Sequence, residues 1–174
     1  MNTLPTDFLV IVGRPNMLAI DIQELAARTS KSGVHEDLAA VGLDDPYRLV
    51  YNLLLAEGAV GAYLGSGSVN TDDRPVLSYS TYGATFQTTI AENLVGLLAC
   101  REDAAKYVSH AESSATMLRH YAASNEVLLG HICYARGVET TALGHYFKAS
   151  RLLPNDPACL GLVRESYFRV RNAE

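Results

Sequence analysis

Tryptophan is absent from the 174 residues, cysteine occurs three times, and charged residues make up only 19%. Cys100, Cys133 and Cys159 lie far apart and form no CxxC pair, which argues against a disulfide framework and fits a reducing compartment. An excess of basic charge is also missing. The formal charge is −5, which argues against a nucleic-acid footprint carried by net charge. Long apolar runs are lacking too: the compact ones are Phe8–Gly13 and Leu53–Ala56, far short of the ~18–20 residues that span a bilayer. No basic residue precedes Phe8–Val12, and that run is too short for the apolar part of a signal peptide. What is present is apolar material, at 48% of residues, which excludes a disordered tail and supports a packed core. A globular protein of the cytoplasm is expected.

The charge is unevenly spread. Residues 1–100 carry 5 Lys/Arg against 11 Asp/Glu, and residues 101–174 carry 9 against 8. The pattern changes near residue 84 as well. Short elements separated by Asp, Gly and Pro give way to long stretches with helical spacing and few breakers. Two units, 1–83 and 84–174, are expected. The fold class is mainly α with a small β component, in which a partial α/β segment is followed by helical hairpins.

In the first unit Phe8–Val12 is apolar and β-branched, and Gly13 and Pro15 end it. It reads as a strand buried on both faces, with no partner strand in the next sixty residues. Ile22, Leu25 and Ala26 then share a helical face, with Asp21 placed to cap it, and a short helix is expected over Val34–Val41. Leu43-Asp44-Asp45-Pro46 is a helix start: Asp45 accepts the free N–H groups of the first turn, and Pro46 suits the first helical position. The following helix is expected to run over Tyr47–Ala56, with Glu57–Leu64 adding further turns. Gly58, Gly61, Gly65 and Gly67 match neither GxGxxG nor GxxxxGK[ST], and the reading is a helix-to-loop exit.

Asn70-Thr71-Asp72-Asp73-Arg74-Pro75 stands just before an expected strand at 76–80. Asn70 and Asp72 suit turns through side-chain bonds to the backbone, and Pro75 ends the turn. Two adjacent carboxylates in a loop can also bind a cationic group or a metal. Together with Phe8–Gly13, Ile20-Asp21 and Val41-Gly42-Leu43-Asp44-Asp45-Pro46, this hexapeptide resembles the C-terminal region of bacterial spermidine-synthase-like proteins, relatives of the polyamine aminopropyltransferases. The resemblance covers roughly residues 5–81, and Ser78 stands where such proteins usually carry an acidic residue. It implies that the Gly-rich donor loop and the catalytic aspartate belong to an upstream domain. No catalytic residue is assigned here, and competence for aminopropyl transfer is expected only together with that domain. The resemblance further implies decarboxylated S-adenosylmethionine as the cofactor of the upstream domain, none in this chain, and Asp72, Asp73 and Arg74 beside a polyamine. It also admits a location as the tail of a membrane-anchored protein.

Residues 84–174 read as all-helical. Leu129-Gly130, Gly137, Ala142-x-x-x-Tyr146, Ala149 and Pro154 follow the tetratricopeptide spacing within a repeat of about 34 residues. Gly130 and Ala142 are small where paired helices cross, Tyr146 fills the space beside them, and Pro154 stops the second helix. Glu126 and Cys133 stand at the usual tryptophan and tyrosine positions of such a repeat. Asp156-Pro157 repeats the cap-and-proline device of Asp45-Pro46. One clear repeat is expected at 124–156, a degenerate one at 88–122, and a capping helix at 157–171. Tyr121, Tyr134 and Tyr146 are read as repeat packing.

His131 and His145 fall on the two helices of the clear repeat and are placed to approach each other. Neither they nor His110 and His120 have a metal-binding spacing such as HExxH, so no metal is assigned. Cys133 and His131 are two apart on a helix and face different ways, which excludes a nucleophile pair. Two functions remain. One is the C-terminal part of a spermidine-synthase-like system, with the repeats docking to the upstream domain. The other is a repeat adaptor that binds a peptide or helix of a protein partner.

Overall fold

The computed structural model describes residues 17–65 and 90–173. The strand expected at 8–12, the hexapeptide at 70–75 and the strand expected at 76–80 lie outside them. The described residues are mainly helical with a small β component. In α1 (Ile22–Thr29) the Asp21 carboxylate accepts from the Gln23 and Glu24 N–H groups at 2.9 and 3.1 Å. Glu24 in the first turn and Arg28 in the last complement the helix dipole. α2 (Val34–Ala40) buries no residue. α3 (Pro46–Tyr51) starts on Asp45, which accepts from Tyr47 N at 2.8 Å, with Pro46 in the first turn.

α3 does not continue to Ala56 as its apolar spacing suggests; it stops at Tyr51 and a separate α4 (Glu57–Leu64) follows. The cause is a competing bond. A longer α-helix needs the Tyr51 carbonyl to accept from residue 55. That carbonyl instead accepts from the Arg101 guanidinium and, at 3.1 Å, from the Ser124 hydroxyl. Leu54 and Leu55 then turn toward a different part of the core.

The chain resumes in α5 (Ile90–Cys100), followed by a single 3₁₀ turn (Ala104–Tyr107) that Asp103 caps through Ala105 N at 2.8 Å. Two strands, β1 (Ile20–Asp21) and β2 (Val108–Ser109), pair in parallel, with Ile20 opposite Val108. The second of these corrects the expectation of a purely helical chain after residue 84. Ile20 and Val108 both pack on the same apolar cluster, which brings their backbones into register. Three long helices complete the chain: α6 (Ser114–Ala135), α7 (Glu139–Leu152) and α8 (Pro157–Ala173).

α6 is one unbroken helix of 22 residues. The boundary expected between a degenerate repeat ending at 122 and a clear one starting at 124 therefore does not exist. No Pro or Gly interrupts residues 114–129, so nothing stops the helix there. Its end is built as a Schellman cap. Gly137 takes φ +73, Val138 N bonds Cys133 O and Gly137 N bonds Tyr134 O, both at 2.9 Å. α7 returns antiparallel after this turn, and α8 packs on α7.

Three apolar clusters hold these elements. Ile22, Tyr47, Val50, Tyr51, Ala104 and Met117 form the first. Leu94, Leu97, Leu128 and Ile132 form the second, with Leu54 and Leu55 against it. Ala142, Tyr146 and Leu162 form the third, beside Val127, Tyr134 and Val163. Each fully buried Leu, Ile or Val contributes about 1.5–3 kcal/mol. The first two clusters draw on residues from both sides of position 84.

Candidate functional site

The α6–α7 hairpin packs as the spacing of its small residues requires. Ala142 and Ala149 are buried along α7, and the Tyr146 ring lies between them and Gly130 on α6. A Cβ on Gly130 would sit 2.3 Å from Tyr146 Cε1, so only glycine admits the ring. Leu128 is the buried leucine of this turn and Leu129 is half-buried. α7 ends at Leu152, Pro154 follows, and Asp156 accepts from Cys159 N at 2.8 Å to open α8.

The two histidines of the hairpin do not meet. His131 Nδ1 shares a hydrogen bond with the Tyr146 hydroxyl at 2.9 Å, and His145 Nδ1 lies 2.7 Å from Glu126. The antiparallel register sets residue 131 against 146 and residue 145 against 126. Among the described residues no group of three or more His, Cys, Asp or Glu side chains is placed to hold a metal ion.

A polar cleft of about 490 Å³ opens where the α7–α8 turn meets α3 and α6. Asp44, Asp45, Arg48, Arg119, His120 and Asp156 contribute its ionisable side chains. Arg48 is held firmly: its guanidinium bonds Asp156 and the Gly42 carbonyl and stands 3.8 Å from Asp44. The Arg48 and Asp156 side chains are only 15% and 5% exposed. The His120 ring stacks on Tyr47 with centroids 5.1 Å apart, and its Nε2 is 3.9 Å from Asp45. Burial lowers the His120 pKa, and Arg48 and Arg119 add to that, against the opposing pull of Asp45 and Asp156. Burial and then Asp156 push the Cys159 thiol up to about 12, so it is not a thiolate nucleophile near neutral pH. Every charged group in the cleft except Arg119 is tied to a helix cap, an ion pair or a ring stack. The cleft is therefore a polar joint between α3, α6 and the α7–α8 turn.

A second polar cluster surrounds Arg101. Besides the Tyr51 carbonyl, its guanidinium bonds Asn125 at 2.7 Å and the Ser124 hydroxyl, and it lies over the Tyr121 ring at 5.4 Å. Burial lowers the pKa of Arg101 and raises that of Tyr51, each disfavouring the charged form. Sequence reasoning found neither Arg101 nor the Arg48–Asp156 pair. Their partners lie 23 to 108 residues away, and no local pattern signals them.

The buried histidines make stability depend on pH. Burial brings His131 down to about 4, and no opposing carboxylate is involved. A histidine whose folded pKa is depressed binds its proton more readily in the unfolded chain. Its contribution is therefore complete above the unfolded pKa of 6.5 and is lost as pH falls from there toward about 4. His120 acts in the same direction. Urea unfolding should show about 2 kcal/mol less stability at about pH 5 than at about pH 7.5 from His131 alone. His131→Gln should flatten that slope; an unchanged slope in the variant would remove the assignment.

The hexapeptide Asn70, Thr71, Asp72, Asp73, Arg74 and Pro75 lies outside the described residues, so its surroundings are not part of this geometry. Among the described residues no helix is long and apolar enough to cross a membrane. No protein-family model, curated protein or solved structure matches the chain.

Proposed function

We propose that the chain is the non-catalytic C-terminal part of a spermidine-synthase-like system, in which α6–α8 form a tetratricopeptide-like module that docks to the aminopropyltransferase domain. The observation that carries the docking reading is the seating of Tyr146 on Gly130, followed by α8 stacked on α7. Helices that stack in succession through small residues make extended surfaces suited to holding another protein. The polyamine connection rests on the sequence of the hexapeptide, where Asp72 and Asp73 place two carboxylates together, the chemistry that receives an amine cation.

The test uses the full chain and an aminopropyltransferase domain that carries the Gly-rich donor loop. Co-elution of the two is expected, as is binding of putrescine or spermidine to the complex by calorimetry. Asp72→Asn and Asp73→Asn together should weaken that binding at least about tenfold, since each removes a negative charge that attracts an amine cation. Unchanged affinity would end the substrate role, and separate elution would end the docking role. A second reading, a repeat adaptor for a helix of another protein partner, is favoured by the exposed apolar side chains of α8.

A further inference from the structure

We propose that the outer face of α8 is a docking site for an acidic amphipathic helix of a protein partner. This rests on the adaptor reading above and stands apart from the aminopropyltransferase one.

α8 uses one side against α7, where Cys159, Leu162 and Ser166 are buried. On the other side Leu160, Arg164, Tyr167, Phe168 and Arg171 recur at the spacing that sets residues on one helical stripe. Leu160, Tyr167 and Phe168 are 49%, 52% and 49% exposed, and the two rings meet edge to face at 6.4 Å. A helix face that meets only solvent is expected to present polar residues outward. This one instead presents three large apolar groups in line.

The charges say what would cover them. Arg169 is engaged with Glu165 and lies over the Tyr134 ring at 4.4 Å. Arg164 and Arg171, by contrast, have no carboxylate within ion-pair distance among the described residues. Among the described residues the stripe thus carries two guanidiniums without a carboxylate partner, interleaved with apolar anchors. Tyr and Arg are the residue types that dominate binding energy at protein interfaces. From Leu160 to Arg171 the stripe is about 16 Å long, three turns of a partner helix.

Two other occupants fit less well. A second α8 would bring four guanidiniums and no facing carboxylate to one contact, a like-charge arrangement. An anionic bilayer takes up helices whose apolar and basic faces are separate, whereas Arg164 and Arg171 lie between the apolar groups of this stripe. A partner helix that carries carboxylates beside its leucines satisfies both the apolar and the charged positions.

The probe is a synthetic helical peptide of leucine and glutamate at amphipathic spacing, labelled for fluorescence anisotropy, with a leucine–lysine peptide of the same pattern beside it. The full chain should bind the glutamate peptide at least tenfold more tightly than the lysine peptide, and added salt should weaken that binding. Arg164→Glu with Arg171→Glu should reverse the preference, and Tyr167→Ala with Phe168→Ala should weaken binding of the glutamate peptide at least tenfold. Circular dichroism should be unchanged in both variants, because all four side chains are exposed. Equal binding of the two peptides, or no binding, would overturn the proposal. So would a dimer that Tyr167→Ala dissolves, or stronger capture by phosphatidylserine vesicles than by the peptide. In every arm the α8 variants should still co-elute with the aminopropyltransferase domain; their loss there would implicate α8 in that contact instead.

Discussion

Asp156→Ala should be the most damaging single substitution on the polar joint, lowering stability by about 4 kcal/mol. Two effects combine. The carboxylate caps α8 through Cys159 N, and losing such a cap costs about 1 kcal/mol. It is also the buried partner of Arg48, and removing one member of a buried pair strands the other, at about 3–5 kcal/mol. Asp156→Ser separates the two, since serine keeps a capping oxygen but not the charge. It should recover about 1 kcal/mol relative to Asp156→Ala. Adding Arg48→Met to the serine variant should recover more, because no guanidinium is then left buried. Chemical denaturation of the four proteins provides the measurement. If Arg48→Met makes Asp156→Ser worse, the ion pair is not what holds the joint.

Gly130→Ala should destabilise the chain by about 2 kcal/mol, although alanine favours a helix over glycine by about 1 kcal/mol. The methyl group would lie 2.3, 2.7 and 2.9 Å from three atoms of the Tyr146 ring. That ring cannot swing away freely, because it is buried and its hydroxyl is bonded to His131. For a chain of this size the loss corresponds to roughly 4–8 °C in Tm. Gly144→Ala is the control. Its new methyl group would meet nothing within 4 Å on the exposed side of α7, so the helix gain should appear alone, raising stability by up to about 1 kcal/mol. A melting temperature that rises for both variants would show that Tyr146 does not press on Gly130.

The parts legible in the sequence are those whose cause is local. Asp21, Asp45-Pro46 and Asp156-Pro157 each open a helix in the structure, because a cap needs only residues two or three positions on. Gly130, Ala142 and Tyr146 come together because helix spacing places small and large residues on facing stripes. The misses share a different cause. α3 ends at Tyr51 because Arg101 and Ser124, 50 and 73 residues away, take its carbonyl. The β1–β2 pairing likewise joins residues that no window of the sequence contains together. His131 and His145 lie on the two helices of the hairpin but not opposite each other, since the turn length at 136–138 decides its register. Of the candidate site, the residues of the α6–α7 hairpin can be read in three dimensions. The hexapeptide rests on its sequence pattern.

The β1–β2 contact also has an entropic meaning. Beside it, Asp21 and His110 lie 2.9 Å apart although 89 residues separate them. The α6–α7 hairpin needs only a three-residue turn, so it closes with little loss of chain entropy. Bringing Ile20 to Val108 constrains a far longer loop and gains only a two-residue bridge. Loop-closure entropy therefore favours the hairpin over the strand bridge, so the bridge is the contact that depends on the rest of the fold being in place.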